Sequence, residues 1–431
     1  MYLDDGIGGS STAYNTASIC EKMLRDVSAA GLTINHEKSN LLPTRQGSWL
    51  GFIIDTEKMM FFIPSEKIKA LLTKIKSTLR FEYSTARNIA KIAGYIVSMS
   101  IAIGPLTRLF TKQMHVFIES RFSWDGLRII PFEVKTELLF WQNNLKQANG
   151  VQINFSPHVN KIVYSDASGK GYGGYIVQKF GETIARGDFE DIEIPTSSTF
   201  RELLAVKYIL QAFNRNLNGQ CVQWYSDNEN VSRIISGGSS KNHLQAIAID
   251  IYNVCVINNI ILLPAWVPRE FNKIADRISK EVDTDNWGID DETFAYIQAN
   301  FGKFEVDRFA DNKNNKVDHF NSKYHCPGSS AVNCFTCNWK PTFNWLCPPI
   351  YLIGKTLRYL ELCKGKGVLL VPIWKSAYYW PMLTKDGNNF NPFIKNFLLL
   401  DPFFLNYAKL SNSVFDGFAK FYSIALLLDF S

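Results

Sequence analysis

The chain has 431 residues, with 46 Lys+Arg against 40 Asp+Glu, a formal net charge of +6. Hydrophobic residues make up 46%, ordinary for packed globular protein, which excludes a wholly disordered chain. The longest apolar runs, such as 424–428, fall well short of the ~18 residues of a membrane span. No basic-then-apolar leader opens the sequence, so secretion is not expected. The mild positive charge permits a polyanionic partner without demanding one. The 8 cysteines are spread over the whole length, unlike a disulfide scaffold, which points to a reducing compartment, nucleus or cytoplasm.

At roughly 150 residues per domain the length suggests about three domains. In chain order, a hairpin-like opening at Tyr2-Leu3-Asp4-Asp5-Gly6 is followed by a helical stretch over 14–30, closed by Gly31. Residues 48–55 read as a strand, and 64–79 and 85–103 as helices. From 160 to 282 strand and helix patterns mix. Strands are predicted at 161–168, 171–178 and 182–189. A helix over 199–214 follows, with Leu203, Val206, Leu210 and Phe213 at helical spacing. Then come a strand at 221–228, a helix at 244–258, a strand at 260–267 and a helix at 273–280. Three consecutive strands followed by mixed elements predict a mixed sheet flanked by helices, and the chain as a whole an α/β (α+β mixed) class. A polar stretch at 307–330 marks a further boundary. Beyond it 365–374 reads as a buried strand, and from 386 onward the pattern is apolar but irregular.

The chemistry concentrates on four acids. Asp166 lies at a strand end in Tyr-Ser-Asp-Ala-Ser, and Glu202 at the start of a helix. Asp227 ends another strand, and Asp276 lies early in the last helix. Four carboxylates from two strand ends and two helices can converge at one sheet edge, where they repel one another unless divalent cations neutralise them. Hard Mg²⁺ prefers such oxygen ligands. Two ions about 4 Å apart can activate a water and stabilise the leaving oxygen of a phosphodiester. Each acid also has a bland reading. Thr199 and Glu202 fit a capping box. Asp227 before Asn228 fits an Asx-turn. Asp276 fits a solvated helix carboxylate.

The segments Tyr-Ser-Asp-Ala-Ser…Gly-Tyr-Gly-Gly, Ser-Ser-Thr-Phe-Arg-Glu-Leu-Leu-Ala-Val, Tyr-Ser-Asp-Asn-Glu-Asn-Val and Ala-Trp-Val-Pro-Arg-Glu-Phe-Asn-Lys-Ile-Ala-Asp-Arg-Ile-Ser resemble the four successive acidic motifs of the ribonuclease H domain of retroelement polymerases. The resemblance implies that Asp166, Glu202, Asp227 and Asp276 bind two Mg²⁺ (Mn²⁺ as substitute), with Asp166 bridging both. It implies that they cut the RNA strand of an RNA–DNA hybrid. Many members carry a mobile His shortly before the last acid. Here the nearest, His243, is too far upstream, so slower product release is expected. Arg269, beside the last motif, is expected on the hybrid backbone.

Tyr2-Leu3-Asp4-Asp5, then Gly-Leu-Thr-Ile-Asn-His-Glu-Lys-Ser, then Trp-Leu-Gly-Phe-Ile-Ile-Asp, resemble the late palm and primer-gripping hairpin of a reverse transcriptase. The likeness makes Asp4 and Asp5 remnant metal ligands and Lys38 a template-primer contact. Arg80, Arg87, Lys91, Arg108 and Lys112 interleave with aromatics in the thumb-like stretch, and Arg87 and Lys91 are the expected phosphate contacts. A further upstream Asp and the fingers would be needed for polymerisation. None is expected from this chain alone, and an element-encoded partner is the expected source of the missing parts.

The C-terminal third resembles a region that follows ribonuclease H in DIRS-type, tyrosine-recombinase retrotransposons, itself similar to adenine-N6 methyltransferases. Cys347-Pro348-Pro349-Ile350 stands at the family's Asn/Asp-Pro-Pro-aromatic turn. Cys accepts hydrogen bonds poorly and Ile350 offers no ring to stack on a base, so a packing or nucleic-acid-holding role is expected. A rival reading is a zinc site from His325, Cys326, Cys334, Cys337 and Cys347.

The resulting organisation is a palm and thumb remnant over 1–120, a connection over 121–157, ribonuclease H over 158–283, a degenerate methyltransferase-like region over 300–385 and an unassigned segment over 386–431. The expected function is Mg²⁺-dependent endonucleolytic cleavage of RNA in RNA–DNA hybrids. The alternative is a decayed element copy that binds nucleic acid without catalysis.

Overall fold

The computed structural model describes residues 6–153, 157–281, 287–387, 389–402, 406–407, 417–418 and 420–431. Asp4 and Asp5 therefore lie outside the described residues. The chain divides into two compact units, 1–158 with 236–249, and 159–235 with 250–431. The class is mixed α/β, as the sequence predicts. Among the described residues no helix is long and apolar enough to cross a membrane.

In the first unit the helix Ala13–Ala29 is capped by Thr12, whose Oγ1 accepts from the Asn15 amide at 3.1 Å. None of its residues is buried. The stretch 48–55, expected as one strand, is instead a hairpin. Gln46–Trp49 pairs antiparallel with Phe52–Asp55, because Leu50 and Gly51 both take positive φ (47° and 75°), the geometry a two-residue turn demands. Met60–Phe62 and Val151–Gln152 complete this sheet. The helix expected over 85–103 breaks at Met99 into Ala86–Ser98 and Ser100–Ile103. Helices Ser65–Leu79, Ala86–Ser98, Lys112–Glu119 and Phe132–Asn144 pack around Leu71, Ile75, Ile89, Ile92, Ile96, Met114, Leu138 and Trp141, all buried.

Glu137 is buried in this unit, and its two carboxylate oxygens accept from the amides of Gln113 and Met114, each at 2.9 Å. It thereby serves the open amides at the start of helix Lys112–Glu119. Burial outweighs those bonds and pushes its pKa up to about 7. A carboxyl raised on folding stabilises the fold fully below its unfolded pKa, 4.5, and loses that contribution as pH rises through about 7. The melting temperature of this unit is therefore expected to fall as pH rises across that window. In Glu137→Gln the dependence should flatten; an unchanged pH slope would refute the assignment.

The second unit holds two five-stranded sheets. The first runs Ile261–Trp266, Cys221–Ser226, Lys161–Ala167, Gly171–Val177, Glu182–Asp188. Its first three strands are mutually parallel and the last two form an antiparallel meander. Successive residues of a strand point to opposite faces, and Gly173 and Gly174 use this. A Cβ on Gly173 would lie 2.4 Å from the Ser279 amide nitrogen, and one on Gly174 would lie 2.6 Å from Ile209 Cδ1. Helix Lys273–Lys280 thus sits on one face and helix Ser198–Ala212 on the other. Leu203, Val206, Leu210 and Phe213, predicted as the apolar stripe of the latter, are all fully buried.

The second sheet runs Val306–Asp307, Phe343–Leu346, Lys366–Pro372, Ser423–Asp429, Ile394–Leu400. Val368 and Leu370 pack on one side with Trp287 and Trp345, and Leu369 and Val371 on the other with Trp339 and Leu357. Both faces are covered, which accounts for the continuous apolar run that reads as a buried strand. The irregular C-terminal segment supplies two antiparallel strands, one of them wedged between Lys366–Pro372 and Ile394–Leu400.

Candidate metal centre

The first acid, Asp166, lies in the central strand Lys161–Ala167. Trp224 Nε1 donates to Ser165 Oγ at 2.8 Å and Asn272 Nδ2 donates to the Ser165 carbonyl at 3.0 Å. These buried bonds fix the strand just before the acid. Asn272 precedes helix Lys273–Lys280 within the last motif, so it also ties that motif to the first.

The helix bearing Glu202 is capped by Ser197, whose Oγ accepts from the Phe200 amide at 3.3 Å. Thr199 is inside the helix, so the capping-box reading fails and Glu202 is not spent on a cap. Its side chain turns inward, accepting from the Ala167 amide, while its Oε2 is buried with no hydrogen-bond partner among the described residues. Asp227 follows strand Cys221–Ser226. There the turn is closed by its neighbours: the Asn230 amide donates to Asn228 Oδ1 at 3.1 Å and the Asn228 amide to Ser226 Oγ at 3.2 Å. The Asx-turn reading thus belongs to Asn228. Trp266 Nε1 donates to the Asp227 carbonyl at 3.0 Å, which anchors its backbone.

Oxygens of Asp166, Glu202 and Asp227 all lie within 4.8 Å of one another. Asp276 is outside this group. Its carboxylate accepts from Lys280 Nζ at 2.7 Å and from Arg269 Nη2 at 3.0 Å. The solvated-carboxylate reading does not hold either, since it is paired twice and its side chain is only 23% exposed. Arg269, expected on nucleic acid, is mostly exposed and holds this ion pair.

Like charges in a half-dry pocket shift the acids together. Burial first, and the carboxylates of Asp227 and Asp276 next, push Asp166 up to about 6, while Ser279 Oγ, donating to its Oδ2 at 2.5 Å, opposes the rise. Burial, then Asp166 and Asp227, drive Glu202 well above the ordinary carboxylate range. Burial also raises Asp227, against the Arg269 charge. Asp276 moves the other way, lowered by the Lys280 and Arg269 bonds. Three clustered carboxylates, each shifted upward by burial, with one buried oxygen unpartnered among the described residues, form a hard all-oxygen donor set that fits a divalent cation. Ser279, Asn272, Trp224 and Lys280 were not read as site residues. Only Lys280 carried a signal, its i+4 spacing from Asp276.

The other candidates lie elsewhere. Lys38 is exposed, its amide donating to Asn35 Oδ1 at 3.2 Å. Arg87 and Lys91 are on helix Ala86–Ser98. Lys91 is exposed, and Arg87 is clamped on Asp125 by bonds of 2.7 and 2.9 Å. His243 is an exposed residue of helix Asn242–Ile257. Cys326, Cys334 and Cys347 belong to three separate apolar clusters, so the zinc reading fails: these thiols do not converge. Cys347 is buried beneath Trp287, whose Nε1 donates to the Pro348 carbonyl at 2.8 Å. Burial pushes its thiol well above the usual range; Pro348 is buried with it, while Pro349 and Ile350 are half-buried.

The family described as DNA N-6-adenine-methyltransferase (Dam) matches residues 277–396. No curated protein matches. Among solved structures, the chain is similar to the foamy viral protease-reverse transcriptase in complex with double-stranded DNA, at 17% identity and a TM-score of 0.30. That match covers 60% of this chain and 44% of the viral one, so the chain spans less than half the length of that relative. It is also similar to RNase H1 from Halobacterium salinarum, at 18% identity and TM-score 0.23, over 27% of this chain and 92% of that one. LC11-RNase H1 in complex with an RNA/DNA hybrid matches at 22% identity and TM-score 0.22, over 28% and 93%.

Proposed function

We propose that this chain is a metal-dependent nuclease that cuts the RNA strand of RNA–DNA hybrids, with Asp166, Glu202 and Asp227 as the metal-holding acids and Asp276 as the fourth. The observation that carries the reading is the convergence of three carboxylates within 4.8 Å of one another, one of them Glu202, whose buried Oε2 has no hydrogen-bond partner among the described residues. A structural salt-bridge network would have matched these acids with cations; among the described residues only Asp276 is so matched. The motif order Asp166, Glu202, Asp227, Asp276 supports the substrate class through its resemblance to ribonuclease H.

The residues divide the work. Ser279 favours the ionised form of Asp166. Glu202 offers a dry oxygen from below. Asp227 offers one from the neighbouring strand end. Arg269, exposed at the rim, is positioned to exchange its Asp276 partner for a backbone phosphate. Bound there, Mg²⁺ would lower the pKa of water and stabilise charge on the leaving oxygen of a phosphodiester. Lys38 and Lys91, both exposed, are assigned to non-specific phosphate contacts. Arg87 joins them only by giving up Asp125. We further read the chain as part of a DIRS-like retrotransposon polymerase acting in nucleus or cytosol, with a methyltransferase-like region that no longer methylates.

A hybrid labelled on both strands tests this. The expected result is fragmentation of the RNA strand alone with Mg²⁺ or Mn²⁺, and none with chelator. No cutting by a folded chain in either metal sinks the reading in favour of a nucleic-acid-binding relic. Cutting of DNA instead would move it to another nuclease class.

A further inference from the structure

We infer that the methyltransferase-like region is a brace for the nuclease, and that Tyr324 acts through Glu281 to position the helix carrying Asp276 and Ser279. Its effect on cleavage rests on the nuclease reading; its effect on the helix does not.

Strand Glu182–Asp188 ends the first sheet of the second unit and would present open amides and carbonyls. The segment at His325 takes up two of them. The Arg186 amide donates to the His325 carbonyl at 3.0 Å, and the His325 amide donates to the Ile184 carbonyl at 3.1 Å, a parallel bridge opposite Ala185. The His325 ring meets Phe213 edge-on at 5.3 Å. Arg215 Nη1 donates to the Ser330 carbonyl at 2.8 Å, and Lys313 Nζ to the Phe189 carbonyl at 2.6 Å. Four hydrogen bonds and one ring contact from one polar stretch thus seize the edge strand, the turn after it and the end of helix Ser198–Ala212.

A fifth hydrogen bond reaches the acids. Tyr324 Oη donates to Glu281 Oε1 at 2.8 Å, with Lys323 Nζ 3.7 Å from the same oxygen. Glu281 is the C-cap of helix Lys273–Lys280, and its carbonyl accepts from Arg186 Nε at 2.9 Å. That helix has eight residues and buries only Ala275, Ile278 and Ser279. So short a helix is not stable by itself and takes its position from what holds its ends. Asn272 fixes the start on the central strand; Glu281, held by Tyr324, fixes the end. Between them Ser279 reaches Asp166 and Asp276 faces the cluster. The thiol at the Cys347 turn is buried, whereas the polar stretch of this region is spent on the nuclease.

The test uses the full chain with Tyr324→Phe, which removes one hydroxyl and keeps the ring, and Glu281→Ala as the second variant. Amide hydrogen exchange is measured without metal. Exchange across 273–281 is expected to accelerate about fivefold, the change in local opening for one lost hydrogen bond. Strand Lys366–Pro372 should exchange as in wild type. The Mg²⁺ concentration for half-maximal hybrid cleavage is expected to rise by a similar factor, with turnover restored at saturating Mg²⁺. Unchanged exchange across 273–281 in both variants overturns the brace. If wild type fails to cut hybrid but exchange still accelerates, the ribonuclease reading falls and the brace stands.

Discussion

Asp166→Asn is expected to reduce hybrid cleavage at least about a hundredfold, the scale at which one preorganised charge-stabilising group acts. The variant should do so without losing stability. Asp166 is 5% exposed, its nearest charged neighbours are the acids Glu202 and Asp227, and Asn keeps its shape. Removing one of three like charges relieves repulsion, so the melting temperature should hold or rise. The Glu202 carboxyl, raised partly by the Asp166 charge, should move back toward its ordinary range. Calorimetric Mg²⁺ titration should show weakened or lost binding. Retained cleavage would show that the cluster is not the catalytic centre. A fall in melting temperature matching the fall in activity would mean that Asp166 serves the fold.

Gly173→Ala is expected to harm both fold and site. Its Cβ would lie 2.4 Å from the Ser279 amide nitrogen and 2.7 Å from the Ile278 carbonyl carbon. Both are backbone atoms of helix Lys273–Lys280, so no side-chain rotation relieves the clash. The helix must lift from the sheet, at a cost of about 1–3 kcal/mol. Because Gly173 is paired opposite Asp166, the displacement is felt where Ser279 donates to that carboxylate. Metal affinity should fall together with melting temperature. Gly169→Ala is the control, since a Cβ there meets nothing within 4 Å. Equal behaviour of the two variants, by calorimetry and Mg²⁺ titration, would refute the close-packing account.

The two variants separate chemistry from support. Asp166→Asn alters charge at fixed shape, and Gly173→Ala alters shape at fixed charge. Tyr324→Phe acts further out, on the end of the same helix. A graded series, from lost turnover to a shifted metal requirement, is the pattern expected when one short helix couples the sheet edge to the acids.

Local pattern alone determined much of this protein. The apolar stripe Leu203, Val206, Leu210 and Phe213 fixed a helix because burial follows helical spacing. The apolar run at 365–374 fixed a buried strand, which the structure places at Lys366–Pro372. The four acids were legible because each lies in a short, ordered motif. What the pattern could not hold was anything set by partners distant in sequence. The 48–55 stretch reads as one strand because positive φ at Leu50 is a backbone choice that leaves no mark in hydrophobicity. The strands Ile394–Leu400 and Ser423–Asp429 escape notice because Ser423–Asp429 must first find Lys366–Pro372 far upstream, and Ile394–Leu400 pairs in turn only with Ser423–Asp429. In the site, Asp276 looked equivalent to the other acids. Only the tertiary structure separates it, through Lys280 and Arg269, from the three carboxylates that share a half-dry pocket. The same holds for Ser279, Asn272 and Tyr324. Serine, asparagine and tyrosine are common surface residues, and their roles arise from what the fold brings within hydrogen-bond distance, since burial and long-range pairing decide which polar atom is spent on structure and which is left for a ligand.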